Sequence, residues 1–454
     1  MTSKSGKPKP TIFSERGTTR HFLFNPPAAA SISGDSPLSG NGSIEALQQA
    51  FPEIHCGDAF LQYTTKQMQN VSCFGSMVIR MDGVGNPDNA SDDDGDSFCI
   101  MDVSRVIDKL CRMENGIWGP VQSDSLGCFF SGKNDADTLK LAEEIQDRVE
   151  GLANGSVSIG VASYPTGDFN KEDVFGNAGK ALTHASFFGT NSAVLFDAIS
   201  LNISGDELYQ KGDVSGAVKE LESALKLDPE NVNVLNSLGV CYGVEGSLEK
   251  ALEVFSDASR LDSREVMALY NAGYVHSLLN QTEDALRCYQ KAEVTGEDIF
   301  EVIFQLGKLY LGQGDLDAAK TYLEKAARLQ PESWIAYLHL GECCEALHMT
   351  DEAVMHYETT VKKNPTDACA LSALGVLYNE KSENPEISTL FCEKAVEMSP
   401  ESGLFQFRLG KVYFHQEQPE KALSAFNKAM DLGYPAESEM AMAREHLARE
   451  SQEI

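Results

Sequence analysis

The stretch that decides the fold of this 454-residue chain reads Gly239-Val-Cys-Tyr-Gly-Val-Glu-Gly-Ser-Leu-Glu-Lys-Ala251-Leu-Glu-Val-Phe255-Ser-Asp-Ala258. A glycine stands 12 residues before an alanine, a second alanine follows seven residues later, and a large residue lies between the two alanines. The glycine recurs at five intervals of 34 residues and one of 35, as Gly205, Gly239, Gly273, Gly307, Gly341, Gly375 and Gly410. A fixed period of this length indicates a repeat architecture.

The other positions of the pattern recur in register with these glycines. Alanine occupies both small positions in nearly every unit, as Ala217, Ala251, Ala285, Ala319, Ala353 and Ala422, then as Ala224, Ala258, Ala292, Ala326, Ala395 and Ala429. The large residue between them is Leu221, Phe255, Tyr289, Leu323, Tyr357 or Phe426. Each unit is therefore predicted to hold two amphipathic helices that cross closely at the small residues. One unit cannot bury its apolar face alone, so the units must stack.

These offsets resemble the tetratricopeptide repeat (TPR). The resemblance implies an all-α TPR solenoid over residues 198–436 and a polar capping helix over residues 437–454. Seven repeats are predicted, at 198–231, 232–265, 266–299, 300–333, 334–367, 368–402 and 403–436. The sixth departs from the pattern, because Ser388 and Cys392 stand at its alanine and aromatic positions.

The resemblance also implies a peptide groove, since the first helix of each repeat lines the concave face in this family. The predicted groove residues are Met267, Tyr270, Tyr274, Phe304, Lys308, Leu311, Ile335, Leu338, Phe407, Lys411 and Phe414. This set is apolar and aromatic with few cations, so the expected partner is a protein or peptide segment with apolar anchors. The alternative, that some of these side chains pack internally or against the first domain, stays open.

Charge excludes several classes of partner. The chain has 37 Lys and Arg against 68 Asp and Glu, a formal net charge of −31 at pH 7. A surface that neutralises phosphates is not expected on such a chain, so nucleic-acid binding is not predicted. No apolar run reaches the roughly 18 residues that span a bilayer, and no secretory signal begins the chain, so a cytoplasmic location without membrane insertion is expected. Residues 1–34 are predicted to be a disordered basic tail.

The cysteines do not follow a metal-binding spacing. There are 11 of them, an odd number, with no C-x-x-C motif and no Cys/His ligand pattern. Reduced thiols, several of them at core positions of the helices, are the expected state in a cytoplasmic protein. Neither a metal site nor a cofactor is predicted.

Residues 35–197 have a mixed periodicity. Strands are predicted at 76–82, 116–121, 125–130, 156–165 and 193–197, and helices at 98–113, 139–149 and 171–186. The resulting order, β-α-β-β-α-β-α-β, is typical of an α+β domain of ferredoxin-like type.

Several segments of this region resemble the GGDEF domain, the fold of diguanylate cyclases. The segments 156–165, Phe175-Gly-Asn-Ala-Gly-Lys-Ala-Leu182 and 185–196 are similar to the C-terminal half of that family. Trp118-Gly-Pro-Val-Gln-Ser-Asp-Ser-Leu-Gly-Cys-Phe-Phe130 stands where the family has its signature hairpin. The resemblance implies a cyclase-type fold for residues 35–197.

The resemblance places a nucleotide site whose residues depart from the family pattern. The Gly-Gly-Asp-Glu-Phe signature corresponds to Gln122-Ser123-Asp124-Ser125-Leu126, and Arg80 stands where a metal-binding aspartate is expected. The phosphate-binding Lys and Arg correspond to Ser186 and Thr190. The predicted vestigial site comprises Arg80, Asp82, Asp96, Gln122, Ser123, Asp124 and Ser125. Because a cation at position 80 repels Mg²⁺, no catalytic residues are predicted and the domain is interpreted as a pseudo-diguanylate cyclase.

Arg80 is further predicted to form an ion pair with Asp124 or Asp82, which would seal the site. Side chains alternate along a strand, so residues 80 and 82 are expected to share one face.

The resulting hypothesis is a bacterial, cytoplasmic adaptor for protein–protein interaction in signalling or complex assembly. Two alternatives are a nucleotide or cyclic-di-GMP receptor that gates the TPR array and an active diguanylate cyclase.

Overall fold

The computed structural model describes residues 12–13, 19–20, 41–82, 100–122, 124–152, 155–295, 298–382 and 384–453. Two compact units divide the chain, the first ending at Leu278 and the second beginning at Leu279. Within the predicted N-terminal tail, β1 (Ile12–Phe13) and β2 (Thr19–Arg20) form an antiparallel pair. The rest of the predicted tail lies outside the described residues.

The first unit begins with an α+β domain. Its elements are α1 (Asn41–Ala50), α2 (Gly57–Met68), β3 (Phe74–Met81), α3 (Ile100–Glu114), β4 (Gly116–Pro120), β5 (Ser125–Ser131), α4 (Asp135–Glu150), β6 (Val157–Tyr164), α5 (Val174–Ala185) and β7 (Ala193–Leu195). The five strands β3 to β7 form one sheet in the order β4-β5-β3-β6-β7, antiparallel except for the β6–β7 pair. The predicted α+β class and its β-α-β-β-α-β-α-β order are confirmed, and β3 to β6 have the split arrangement of ferredoxin-like sheets.

Helices cover both faces of the central strand β3, which explains its nearly continuous apolar sequence. On one face, Met77 and Ile79 of β3 join Ile107 of α3 and Ile145 of α4 in the main core cluster. On the other face, α5 approaches so closely that a methyl group at Gly160 of β6 would overlap the backbone of α5. A strand covered on both sides buries successive residues, so alternation is lost.

Two helices of this domain were not predicted from the sequence. Helices α1 and α2 precede the sheet, and α2 packs on it through Phe60, whose ring lies 5.9 Å from that of Phe129. Their apolar residues are few and polar residues separate them, so the periodic signal is weak.

The rest of the chain is helical. The first unit continues with α6 (Ala198–Gln210), α7 (Val214–Leu227), α8 (Val232–Glu245), α9 (Leu248–Leu261) and α10 (Val266–Leu278). The second unit contains α11 (Thr282–Val294), α12 (Phe300–Gln313), α13 (Leu316–Leu329), α14 (Trp334–Ala346), α15 (Thr350–Lys363), α16 (Ala368–Glu380), α17 (Pro385–Met398), α18 (Gly403–His415), α19 (Pro419–Asp431) and α20 (Glu437–Glu453).

The repeating glycines lie where paired helices cross most closely. A methyl group at Gly341 of α14 would stand 2.6 Å from the Tyr357 ring of α15, and one at Gly410 of α18 would stand 2.5 Å from the Phe426 ring of α19. In the sixth predicted repeat, Gly375 faces Cys392, with a separation of 2.5 Å from its sulfur. The thiol thus takes the place of the aromatic ring, which explains how this repeat keeps its helix pair without the usual residue.

The predicted domain boundary at residue 197 lies inside the first compact unit. Helix α5 of the α+β domain packs on α6, and Lys180 Nζ donates to both carboxylate oxygens of Glu220 on α7 at 2.8 Å. His184 at the end of α5 lies 3.2 Å from the Ser200 hydroxyl of α6. These contacts join the domain to α6 and α7 within the first compact unit, which ends at Leu278.

We expect Gly341→Ala to destabilise the second unit by about 1–3 kcal/mol, because its methyl group would displace the Tyr357 ring in a packed core. Gly312→Ala in α12 is the matched control, since no atom lies within 4 Å of its added methyl group and alanine favours a helix. Urea unfolding followed by circular dichroism measures both. Equal midpoints for the two variants would contradict the close crossing.

Candidate functional site

The end of β3 lies beside the hairpin between β4 and β5, where the sequence places a vestigial nucleotide site. Arg80 pairs with Ser125 on β5 and with Ser158 on β6 in the strand register. The Met81 amide donates to the Asp124 carbonyl at 3.4 Å, and the Gln122 amide donates to the Ser125 carbonyl at 3.3 Å. The structure thus brings five of the predicted residues together at the end of the central strand β3 and the adjoining β4–β5 hairpin. The other two, Asp96 and Ser123, lie outside the described residues.

Asp82 is engaged by three donors. Its carboxylate accepts hydrogen bonds from the hydroxyls of Ser156 at 2.8 Å and Ser158 at 2.7 Å, and from the Asn191 amide at 2.8 Å. Its own amide donates to the Ser156 carbonyl at 3.0 Å. Asp82 therefore ties the end of β3 to β6 and to the loop that precedes β7.

The predicted ion pair of Arg80 is not formed with either predicted partner. Within the described ranges, neither Asp82 nor Asp124 has a carboxylate oxygen within 4.0 Å of the Arg80 guanidinium. Ser158 is the register partner of Arg80 on β6, and the Asp82 carboxylate accepts from its hydroxyl, so Asp82 lies on the same face as Arg80, as predicted. The Asp82 carboxylate is instead occupied by the hydroxyls of Ser156 and Ser158 and by the Asn191 amide.

The predicted groove residues of the second unit differ in their exposure. Lys308 is exposed, Leu311 and Ile335 are half-buried, and Phe304 and Leu338 are buried. Phe304, Leu311 and Ile335 meet in one apolar cluster built by α12, α13 and α14, while Leu338 belongs to the next cluster along the array. The part of this surface that a partner can reach therefore consists of Lys308, Leu311 and Ile335.

The last predicted groove residues lie against the C-terminal segment. The Phe407 ring is 5.0 Å from that of Tyr434 and 5.8 Å from that of Phe426, and Phe414 packs edge-on against His446 of α20 at 6.1 Å. Lys411 lies 3.3 Å from Glu380. Phe407 and Phe414 are half-buried, as Leu311 and Ile335 are, and the chain that follows α19 folds back onto the last repeat and packs against both rings.

In the first unit, the three predicted groove residues lie on α10. Met267 and Tyr270 are buried, and Tyr274 is half-buried. Burial raises the pKa of Tyr274. The alternative of internal packing therefore applies to Met267 and Tyr270.

A polar network that sequence reasoning missed joins three first helices of the second unit. Arg408 of α18 donates to the Ser372 hydroxyl of α16 at 2.8 Å and lies 4.0 Å from Glu345 of α14. Glu345 also accepts from the Tyr357 hydroxyl at 2.9 Å. The sequence signal that could have indicated this network is Arg408, a charged residue among the apolar residues of α18. The network holds neighbouring repeats in register.

Comparison with known proteins finds family models that match three segments of the helical part. A family model described as TPR repeat matches residues 205–243, and one described as tetratricopeptide repeat matches residues 304–368 and 389–433. These segments are tetratricopeptide repeats. The predicted resemblance to the tetratricopeptide repeat is confirmed for these segments. The same repeat pattern accounts for the glycine-to-ring contacts between their helices. The GGDEF resemblance of residues 35–197 has no support among these matches.

The curated relatives match this chain at low identity. Hsp70-Hsp90 organizing protein 1 of Glycine max is 24% identical over 240 residues, which cover 50% of this chain and 40% of that protein. BBSome complex member bbs-4 of Caenorhabditis elegans is 22% identical over 222 residues, 48% of each chain. This chain thus spans less than half the length of these relatives.

Similar solved structures include YrrB, a TPR protein with an unusual peptide-binding site, and pilF of Pseudomonas aeruginosa. YrrB is 24% identical with a TM-score of 0.38, covering 41% of this chain and 96% of that chain. The pilF structure is 21% identical with a TM-score of 0.43, covering 48% of this chain and 97% of that chain. Among the described residues, no helix combines the length and apolar character needed to cross a membrane.

We expect Asp82→Ala to destabilise the α+β domain by about 1–3 kcal/mol, because it leaves the buried Ser158 hydroxyl and two further donors unpaired. Asp124→Ala is the control, since its carboxylate has no hydrogen bond or ion pair with a described residue. Its effect should stay within about 0.5 kcal/mol. The fluorescence of Trp118 in a Trp334→Phe background reports unfolding, and an equal loss in both variants would contradict the structural role of Asp82.

Proposed function

We propose that this chain is a non-enzymatic scaffold whose TPR array binds a protein or peptide segment with apolar anchors. The array would comprise seven repeats over residues 198–436 with a capping helix over residues 437–454. The α+β domain over residues 35–197 would be a degenerate GGDEF-like domain, a pseudo-diguanylate cyclase. Signalling or complex assembly is the proposed setting.

The accessible apolar surface on consecutive first helices carries the binding proposal. Leu311 of α12 and Ile335 of α14 are half-buried members of one cluster, and exposed Lys308 lies one turn from Leu311. An apolar side chain from a partner could add to this cluster without displacing a packed residue. Hydrophobic burial at such a site contributes about 25 cal/mol for each Å² of apolar surface removed from water.

The charges near this surface favour an apolar anchor over a carboxylate. Lys308 forms no ion pair with a described residue, whereas Lys411 is already engaged by Glu380. His339 and Glu342 on α14 lie 2.6 Å apart, which adds an acidic group to the same helix row. One unpaired lysine among acidic neighbours does not make the multiple-cation clamp that a C-terminal carboxylate would need.

The names of the curated relatives support a role in assembly rather than in a particular pathway. They include Hsp70-Hsp90 organizing proteins, a BBSome complex member and an anaphase-promoting complex subunit. Their sources are plants, a nematode and a fission yeast, so they do not support the expected bacterial origin. The adaptor proposal does not depend on that origin.

The arrangement around β3 supports loss of catalysis in the proposed GGDEF-like domain. Mg²⁺ would need a free carboxylate beside the nucleotide phosphates. Asp82 instead accepts three hydrogen bonds from the protein, and Arg80 places a cation two residues before it in the chain. The receptor alternative would use Asp96 and Asp124, of which Asp124 lies at the hairpin and has a carboxylate without a described partner.

Selection of peptides from a random display library on the full chain, followed by calorimetry, tests the groove. We expect Lys308→Glu combined with Leu311→Gln to weaken the selected peptides at least about tenfold, since 1.4 kcal/mol corresponds to a factor of 10. Met355→Gln is the control, because its side chain is 53% exposed on the second helix α15. If the native chain, the double variant and Met355→Gln bound the peptides equally, or if only Met355→Gln lost binding, the result would contradict binding at Lys308 and Leu311.

Calorimetric titration of the full chain with GTP and with cyclic di-GMP, each with Mg²⁺, separates the scaffold from the receptor. We expect no saturable heat and no turnover of GTP. Micromolar binding, about −8 kcal/mol, that is lost in Asp124→Ala would favour the receptor alternative. Formation of cyclic di-GMP would contradict the proposed loss of catalysis.

A further inference from the structure

Three side chains with metal-ligating atoms converge on one repeat of the second unit. They are Cys344 on α14 and Glu352 and His356 on α15, and their ligand atoms all lie within 4.8 Å of one another. The Cys344 sulfur is 3.9 Å from Glu352 Oε2. In the described part of the chain, no other group of three His, Cys, Asp or Glu residues is this close.

The helix geometry explains why these residues meet. Glu352 and His356 are four residues apart, so they share one face of α15 about one turn from each other. Cys344 lies near the end of α14, and a three-residue link from Leu347 to Met349 turns the chain into α15. His348 in that link has a φ of 58°, the left-handed conformation that makes the turn short. The sequence spacing of eight and four residues matches no common ligand motif, which is why it was not predicted.

The distances are close to those of a tetrahedral zinc site. Zn–S bonds of about 2.3 Å and Zn–O or Zn–N bonds of about 2.1 Å place tetrahedral ligand atoms about 3.6 Å apart. The sulfur-to-oxygen distance of 3.9 Å needs only a small rotamer adjustment to reach that value. A thiolate, an imidazole and a carboxylate are also the three ligand types that Zn²⁺ uses in proteins.

We infer that Cys344, Glu352 and His356 form a binding site for a borderline divalent cation of the Zn²⁺ type, with water as the fourth ligand. The ion would link the two helices of one TPR repeat. This site is separate from the peptide surface at Lys308 and Leu311, and it does not depend on the proposed function.

The neighbouring charges are arranged around Glu352. Lys320 of α13 donates at 2.6 Å to Glu352 Oε2, the same oxygen that lies 3.9 Å from the Cys344 sulfur. A carboxylate oxygen has two lone pairs, so Oε2 can accept from Lys320 and also bind an ion, and Lys320 then acts as an outer-shell partner that orients the ligand. Lys320 also interacts electrostatically with the Cys344 thiol in the direction that favours thiolate, and Glu352 and Cys343 act in the opposite direction.

Access and proton balance are consistent with reversible metal binding. The Glu352 side chain is 42% exposed, His356 is half-buried and Cys344 is buried beneath them, so an ion would enter past the carboxylate. Burial raises the pKa of Cys344 to about 11, so the thiol is protonated at neutral pH in the absence of metal. Coordination would form the Zn–S bond and release the thiol proton to solvent.

Competition for Zn²⁺ with a chromophoric chelator, using the full chain under reducing conditions, tests the site. We expect one ion to bind more tightly than the background of surface carboxylates, and at least about tenfold weaker binding in Cys344→Ser and in His356→Gln. Cys343→Ser is the matched control, because the Cys343 sulfur points to the Leu316 carbonyl at 3.3 Å. Circular dichroism checks that each variant is folded. Should Cys344→Ser fail to fold, Glu352→Gln, which lies nearer the surface, replaces it.

Co²⁺ gives a readout that surface carboxylates cannot produce. A thiolate-to-cobalt charge-transfer band and the intense visible bands of tetrahedral Co²⁺ are expected in the native chain and in Cys343→Ser, and are expected to be lost in Cys344→Ser. Binding of Zn²⁺ that is unchanged by both Cys344→Ser and His356→Gln would overturn the inference. A native chain that shows no charge-transfer band with Co²⁺ would also overturn it.

Discussion

The close crossing of paired helices at a glycine is the constraint on which the repeats depend. Where Gly239 faces Phe255 and Gly341 faces Tyr357, the ring of the second helix fills the space that a side chain on the first helix would need. The alanines that flank the ring are fully buried. Because their side chains are small, the two helix backbones can approach each other closely. Packing of this kind is sensitive to a single methylene group, which accounts for the regular spacing of small residues along the sequence.

The excess of acidic residues is partly used between neighbouring repeats. A tyrosine near the end of a first helix donates to a glutamate 20 residues earlier, as in Tyr242 to Glu222 at 2.9 Å and Tyr413 to Glu393 at 2.6 Å. Burial, followed by the hydrogen bond with Glu222, raises the pKa of Tyr242 to about 12. These neutral donors satisfy carboxylates without adding cations, which fits a chain of net charge −31.

Side-chain contacts hold the α+β domain against the first repeat, so the junction between them is not a flexible linker. Asp197 caps α6 by accepting from the Ser200 amide at 2.8 Å, and it lies 3.4 Å from His184 Nδ1 at the end of α5. Burial by itself raises the pKa of Asp197, but the hydrogen bonds with His184 and Ser200 bring it below its ordinary value. Together with the Lys180–Glu220 pair, these contacts join the domain to α6 and α7 within the first compact unit.

The sequence alone determined the repeat, its helix pairs and the succession of strands and helices along the chain from β3 to β7. Those features follow from local periodicity and from small residues such as Gly341, whose role does not depend on distant parts of the chain. Tertiary structure alone decided which side chains remain accessible, because burial depends on what folds back from far away. Thus Tyr434 and His446 pack against the half-buried Phe407 and Phe414, and the hydroxyls of Ser156 and Ser158 occupy the Asp82 carboxylate in place of its predicted partner Arg80. The same reason applies to Cys344, Glu352 and His356: a short turn between two helices brings their ligand atoms together, and linear spacing does not record that distance.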